Sequence, residues 1–204
     1  MAAAGGALKK LLGHDYRSFV YPLLGTGAVG AEIGVWKGDF SAELLRRVSP
    51  SKLYLVDPWA FVTKDGYEDA MYGGKVAQSQ ADMDAIHEGV RARFSAEIAG
   101  GVVEVLRGGS AEIVGELEDG SLDWAYVDGD HTYDAVTFDL AAWWPKVRSG
   151  GLLLGDDYGE AGKAFRRVAP WWGNGVTKAV DEFVAANGLQ PVAIKHGQFV
   201  LRKP

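Results

Sequence analysis

Two short apolar runs, each closed by carboxylates, and the helical stretch between them confine this chain to one kind of fold. The first run is Leu122-Asp123-Trp124-Ala125-Tyr126-Val127-Asp128-Gly129-Asp130-His131. The second is Gly150-Gly151-Leu152-Leu153-Leu154-Gly155-Asp156-Asp157-Tyr158. Each is too short for a helix and stops at Asp and Gly, as strands do. Between them, from Tyr133 to Arg148, apolar residues recur at helical spacing: Val136, Phe138, Leu140, Trp143, Trp144 and Val147. Strand, helix and strand in that length make a βαβ unit, whose right-handed crossover leaves the strands parallel. Asp128, Asp156 and Asp157 then emerge at one edge of the sheet, the edge where open α/β sheets bind ligands. Three carboxylates meeting there repel one another unless a cation joins them. Oxygen donors suit a hard ion, Mg²⁺ first, then Ca²⁺ or Mn²⁺.

The same alternation runs along the rest of the chain. Strands are predicted at Val29 to Val35, Lys52 to Val56 and Gly101 to Leu106. Helices are predicted at Asp39 to Val48, Ala111 to Leu117 and Val176 to Ala186. Pro191 to Lys195 and Gln198 to Arg202 read as a hairpin around His196-Gly197. The expected fold is α/β: a Rossmann-like, doubly wound sheet, mostly parallel, with a C-terminal antiparallel hairpin. With 204 residues, one domain is expected over 1–204, large enough for a full core. Residues 1–28 are read as an N-terminal helical or lid segment. Residues 59–76 and 158–174 fit no period and are expected to be lid loops. Trp59, Phe61, Tyr67 and Tyr72 sit in the first and Trp171-Trp172 in the second, where aromatic faces suit stacking on a substrate, packing of the lids or a homodimer contact.

A net charge of −6 without a basic stripe argues against nucleic acid as a partner. The absence of Cys excludes disulfides, a thiolate zinc site and a Cys nucleophile. Met1 to Ala7 lacks the apolar centre of a signal peptide and no apolar run is long enough to span a bilayer, so a cytoplasmic protein without a membrane partner is expected.

Gly25-Thr26-Gly27-Ala28-Val29-Gly30 matches the dinucleotide fingerprint G-x-G-x-x-G. Its context is wrong, because that motif must open a helix and here a strand follows. The better loop is Glu32-Ile33-Gly34-Val35-Trp36-Lys37-Gly38-Asp39-Phe40-Ser41: strand, glycine turn, helix. Gly34 and Gly38 let backbone approach a ligand, and the helix start offers free N–H groups to a carboxylate or phosphate. Asp39 and Ser41 could instead cap the helix. Asp57 closes the next strand, placed to accept both hydroxyls of a ribose. No phosphate-specific Lys or Ser/Thr pair follows Gly38. Ribose and a carboxylate without a phosphate describe S-adenosylmethionine.

At these residues the chain resembles the class I S-adenosylmethionine-dependent methyltransferases. Glu32-x-Gly34-x-x-x-Gly38 is similar to their first motif, Asp57 to the acidic residue of the second, and Arg107-Gly108-Gly109-Ser110-Ala111 to the adenine-flanking turn. Val127-Asp128-Gly129-Asp130-His131 with Gly155-Asp156-Asp157-Tyr158 narrows this to metal-dependent O-methyltransferases, chiefly the macrocin and mycinamicin sugar methyltransferase group and more distantly the catechol type. The resemblance covers Gly30 to about Ala186. It implies metal ligation by Asp128, Asp156 and Asp157, and cofactor contacts at Glu32, Gly34, Gly38, Ser41, Asp57, Gly109, Ser110 and Asp128. It places the catalytic base at His131, where catechol-type relatives have Lys. One extra residue between Gly38 and Ser41 relative to the catechol type leaves the role of Ser41 open.

The expected function is transfer of a methyl group from S-adenosylmethionine to a hydroxyl of a small-molecule acceptor, a sugar or glycoside, with Mg²⁺ or another hard divalent cation. A catechol-type phenol is the alternative acceptor. His131 would take the acceptor's proton; the other reading is that it orients Asp128. Asp130 is read as solvated or capping. A metal-dependent hydrolase would want two metals and more ligands, and leaves the Glu32 loop without a purpose. A non-catalytic cofactor sensor would not need Asp128, Asp156, Asp157 and His131 together.

Overall fold

The computed structural model describes residues 16–63, 72, 77–159 and 174–204. Seven strands form one sheet: β1 (Val29–Ile33), β2 (Lys52–Asp57), β3 (Val103–Arg107), β4 (Leu122–Val127), β5 (Val147–Gly155), β6 (Pro191–Lys195) and β7 (Gln198–Arg202). Their order is β3-β2-β1-β4-β5-β7-β6. The first five strands in that order run parallel, and β7 and β6 are antiparallel. The order reverses between β1 and β4, so the turns after these two strands form the crevice at a topological switch point.

The helices are α1 (Tyr21–Leu24), α2 (Asp39–Arg47), α3 (Gln80–Arg93), α4 (Ser95–Ala99), α5 (Ser110–Ile113), α6 (Tyr133–Trp143) and α7 (Gly175–Ala186). They lie on both faces, because successive strand residues point to opposite sides. On β4, Trp124 and Tyr126 join the core under α1, α2 and α3, with Leu44, Trp59 and Met83. Ala125 and Val127 join the core under α6 and α7, with Leu140, Trp143 and Val180. Both layers are sealed, which is why β4 reads as nearly continuous apolar sequence. No described helix is long and apolar enough to cross a membrane.

Several boundaries differ from the sequence-based expectation. β1 ends at Ile33 rather than Val35, because Gly34 turns the chain at φ 94°. Its glycine is obligatory: a Cβ there would lie 2.2 Å from the Asp128 carbonyl oxygen. The helix expected to reach Arg148 stops at Trp143, and Val147 and Arg148 begin β5. Pro145, without an N–H and restricting the residue before it, does not continue a helix. The predicted helix at Ala111 to Leu117 is one α-turn, Ser110–Ile113, continued by a 3₁₀ turn, Val114–Glu116. The hairpin strands lie where they were predicted.

α3 and α4 were not anticipated. For α3 the signals were present: Ser79 caps the backbone N–H of Asp82, and Met83, His87 and Val90 recur on one buried face; α4 has no side-chain cap and buries no side chain. Trp59 is a correction. Expected on a lid, it is fully buried, donates Nε1 to the Trp36 carbonyl at 2.9 Å and packs against the His87 ring. It is a core residue, fixed because Asp57 also accepts its backbone N–H at 2.7 Å. Tyr67 and Trp171-Trp172 lie outside the described residues.

Candidate active site

The crevice has two halves that touch. The turn after β1 lies against the turn after β4: the Asp128 N–H donates to the Ile33 carbonyl at 2.8 Å, directly before Gly34. One half gathers Glu32, Gly34, Gly38, Ser41 and Asp57. The other gathers Asp128, His131, Asp156 and Asp157.

In the first half, Glu32 is buried and accepts the Ser41 hydroxyl at 2.6 Å. Burial pushes the Glu32 carboxyl up to about 8, against the pull of the Ser41 bond and the Arg17 charge. Ser41 therefore faces Glu32, and neither it nor Asp39 caps α2, whose N-cap is Gly38 in the left-handed conformation. Asp57 binds the turn that carries Gly34: its Oδ2 accepts the N–H groups of Val35 and Trp36, each at 2.9 Å. Tyr72 donates its hydroxyl to the same oxygen. Burial raises the Asp57 pKa, and these four hydrogen bonds, counting Trp59, oppose the rise. Gly109 and Ser110 stand at the start of α5. The Gly109 N–H donates to Glu112 at 2.8 Å, and the Ser110 hydroxyl accepts Trp143 Nε1 at 2.6 Å. Asp139, buried on α6, also hydrogen-bonds Ser110.

In the second half the donor atoms of Asp128, His131 and Asp157 lie within 4.8 Å of one another. His131 Nε2 is 3.4 Å from Asp128 Oδ1 and 3.6 Å from Asp157 Oδ2. Burial alone would lower the imidazole's pKa, but the Asp128 hydrogen bond and the nearby carboxylates outweigh it, and the net shift is upward. Two carboxylates and an imidazole converging from two strand ends suit a divalent cation. Asp157 takes φ 62°, a left-handed conformation that Asp tolerates better than most residues. The neighbours have different partners: Asp157 lies 3.6 Å from His131, whereas Asp156 is held by Tyr16, Arg17 and Gln198.

Asp156 is thus beside the donor group rather than in it. Its Oδ2 accepts Tyr16 Oη at 2.8 Å, Arg17 Nε at 3.2 Å and Arg17 Nη2 at 2.6 Å. Its Oδ1 accepts the Asp157 N–H at 2.8 Å and Gln198 Nε2. Arg17 Nη2 also reaches Asp128 Oδ2 at 2.5 Å, so one guanidinium bridges the ends of β4 and β5. Gln198 in turn accepts the Tyr126 hydroxyl, both fully buried. Asp130 is exposed, and its Oδ1 accepts the Thr132 N–H at 2.9 Å in the turn before α6, which has no side-chain cap.

Tyr16, Arg17 and Gln198 were not anticipated. Gln198 could have been: on β7 it shares the face of Val200, so a polar side chain sits in a buried register. Nothing local marks Tyr16 or Arg17, which reach Asp156 from 140 and 139 positions earlier in the sequence.

Residues 31–158 match the model of a family described as a methyltransferase domain. The structure of the O-methyltransferase NovP superposes with a TM-score of 0.59 at 20% identity, over 92% of this chain and 76% of that one. A protein from Corynebacterium glutamicum does so at 0.57 and 14%, over 98% and 88%. A geranyl diphosphate methyltransferase solved with SAM does so at 0.57 and 14%, over 86% and 64%. At these identities the likeness is one of fold, a seven-stranded class I methyltransferase sheet. No curated protein sequence matches the chain.

Proposed function

The chain belongs to the methyltransferase-domain family, and on that premise we propose that it moves a methyl group from S-adenosylmethionine to a hydroxyl oxygen, with a sugar or glycoside as acceptor and a divalent cation at the acidic edge. The observation that carries this reading is the contact between the two turns. It sets the Glu32–Gly34–Asp57 turn against the Asp128–His131–Asp157 group. A nucleoside bound in the first would present its sulfonium beside the second.

The residues divide the work. Asp57 faces the ribose hydroxyls, and Glu32 answers the charge of the amino-acid end. The turn through Gly34 and Gly38 aims the start of α2 at the methionine carboxylate, and the turn at Gly109 and Ser110 flanks the base. Asp128 and Asp157, with His131 or Asp156, would hold the cation, which when bound favours the deprotonated form of an acceptor hydroxyl. The reaction is one displacement: the oxygen–carbon bond forms as the sulfur–carbon bond breaks, leaving S-adenosylhomocysteine. With Asp156 as the cation's third ligand, the acceptor proton goes to His131 Nε2. Alignment of oxygen, methyl and sulfur by a closed crevice is worth up to roughly 7–11 kcal/mol of the barrier; proton removal contributes ~10²–10⁴ in rate.

The sugar acceptor rests on the resemblance to the macrocin and mycinamicin group and on His131 in place of the catechol type's Lys. It does not draw on Trp59, which is core. The experiment is methyl transfer from labelled S-adenosylmethionine, with Mg²⁺ or Mn²⁺, to monosaccharides, oligosaccharides, glycosylated macrolides and catechols. Turnover is expected on sugars or glycosides. Turnover on catechols alone would overturn the acceptor and leave the methyltransferase reading standing.

A further inference from the structure

The cation reading leaves Arg17 without a part, yet Arg17 is the group most tightly built into the acidic edge. Its side chain is 15% exposed. The guanidinium packs over the rings of Phe40 at 4.4 Å, Tyr16 at 5.2 Å and Tyr126 at 5.4 Å. From this cage it bridges Asp128 and Asp156. A carboxylate offers about four lone-pair directions. Asp156 already receives five N–H or O–H donors, from Tyr16, Arg17 twice, Asp157 and Gln198. In this arrangement it has no lone pair to give a metal. Asp128 is divided: Oδ2 serves Arg17, and Oδ1 faces His131.

We propose that Arg17 is a positioning residue that withholds Asp156 from the cation; an ion that takes Asp156 must displace it. This rests on the cation site proposed above. Docked, Arg17 leaves the ion Asp128, Asp157 and His131. Displaced, it frees Asp156 to complete the three-carboxylate set and releases His131 for the acceptor proton. Val20, Tyr21 and Leu24 are buried in the core and stay anchored, so among the described residues only those before Val20 shift. A guanidinium and a divalent cation compete for the same two carboxylates with the same sign of charge, so occupancy by one weakens the other.

The test uses the full chain and Mn²⁺, an ion that accepts both carboxylate-only and mixed ligand sets. Mn²⁺ affinity is measured by titration of its electron paramagnetic resonance signal for wild type, Arg17→Met and Arg17→Lys. Met keeps the packed stem without charge; Lys keeps the charge but cannot fork across two carboxylates. Amide exchange at residues 16–20 is followed with and without the ion. Arg17→Met should bind Mn²⁺ about tenfold tighter or more, the scale of one charge-assisted hydrogen bond, with Arg17→Lys between it and wild type. Saturating Mn²⁺ should speed exchange at residues 16–20 of wild type. Equal or weaker binding by both variants, or exchange slowed by Mn²⁺, overturns the antagonism while the cation site stands. No Mn²⁺ binding by any of the three, with their melting curves intact, overturns the cation site and the proposal together.

Discussion

Ser41 donates its hydroxyl to Glu32 Oε2 across 2.6 Å, and Glu32 is only 2% exposed. Burial carries that carboxyl up to about 8, so at pH 7 it is mostly protonated without a ligand. A ligand ammonium beside it favours the ionised form and lowers its pKa. Binding of S-adenosylhomocysteine at pH 7 should therefore release close to one proton, and affinity should rise with pH until about 8 and then level. Calorimetry in two buffers of different ionisation enthalpy reads the release. Glu32→Gln should abolish it; a wild-type enthalpy independent of buffer would place Glu32 away from the ligand charge.

Asp57 holds the Gly34 turn through Val35 and Trp36 and also receives the Tyr72 hydroxyl. Asp57→Ala should weaken S-adenosylhomocysteine strongly, since each hydrogen bond to a charged group is worth roughly 1.5–3 kcal/mol. It should also lower the melting temperature, because the turn loses its acceptor. Tyr72→Phe removes only the hydroxyl that competes for the same oxygen, and should bind the ligand at least as tightly as wild type. Weaker binding by Tyr72→Phe would make that tyrosine a ligand contact.

For the acidic edge, activity should vanish in excess EDTA and return with Mg²⁺ or Mn²⁺. His131→Ala, assayed at saturating ion, should lower kcat by ~10²-fold or more, as loss of a general base does. Saturating ion restoring kcat fully would reduce His131 to a donor for the ion.

Asp139 is 5% exposed, and burial lifts its carboxyl to about 6, against the pull of the Ser110 bond. Its native pKa lies above the unfolded value, so the folded state binds more protons and stability falls as pH climbs from about 4 to 6. Asp139→Asn keeps the shape without the charge. Its melting temperature should match wild type near pH 4 and exceed it at pH 7, by the equivalent of about 1–3 kcal/mol. Equal melting at both pH values would mean that Asp139 is ionised in the native protein without penalty.

The sequence by itself determined the sheet and the edge where the chemistry gathers. Strand-length apolar runs ending in Asp, joined by a helical stretch, leave one handedness and one edge for Asp128, Asp156 and Asp157. The glycine turn after Glu32 and the acid at Asp57 could be read for the same reason: backbone geometry and strand ends are local properties. Helix α3 was also written locally, in the Ser79 cap and the face of Met83 and Val90, whereas the short α4 has no side-chain cap and no buried side chain to read. Tertiary structure alone decided the rest. Trp59 left the lid for the core because Asp57 and Trp36 fix its backbone and its Nε1. Asp156 and Asp157, adjacent in sequence, meet different partners, with Asp157 itself turned left-handed. Arg17 and Gln198 meet at Asp156 from opposite ends of the chain. A hydrogen bond between residues so far apart leaves no periodicity and no spacing to read; it exists only once the sheet has brought its two ends to one edge.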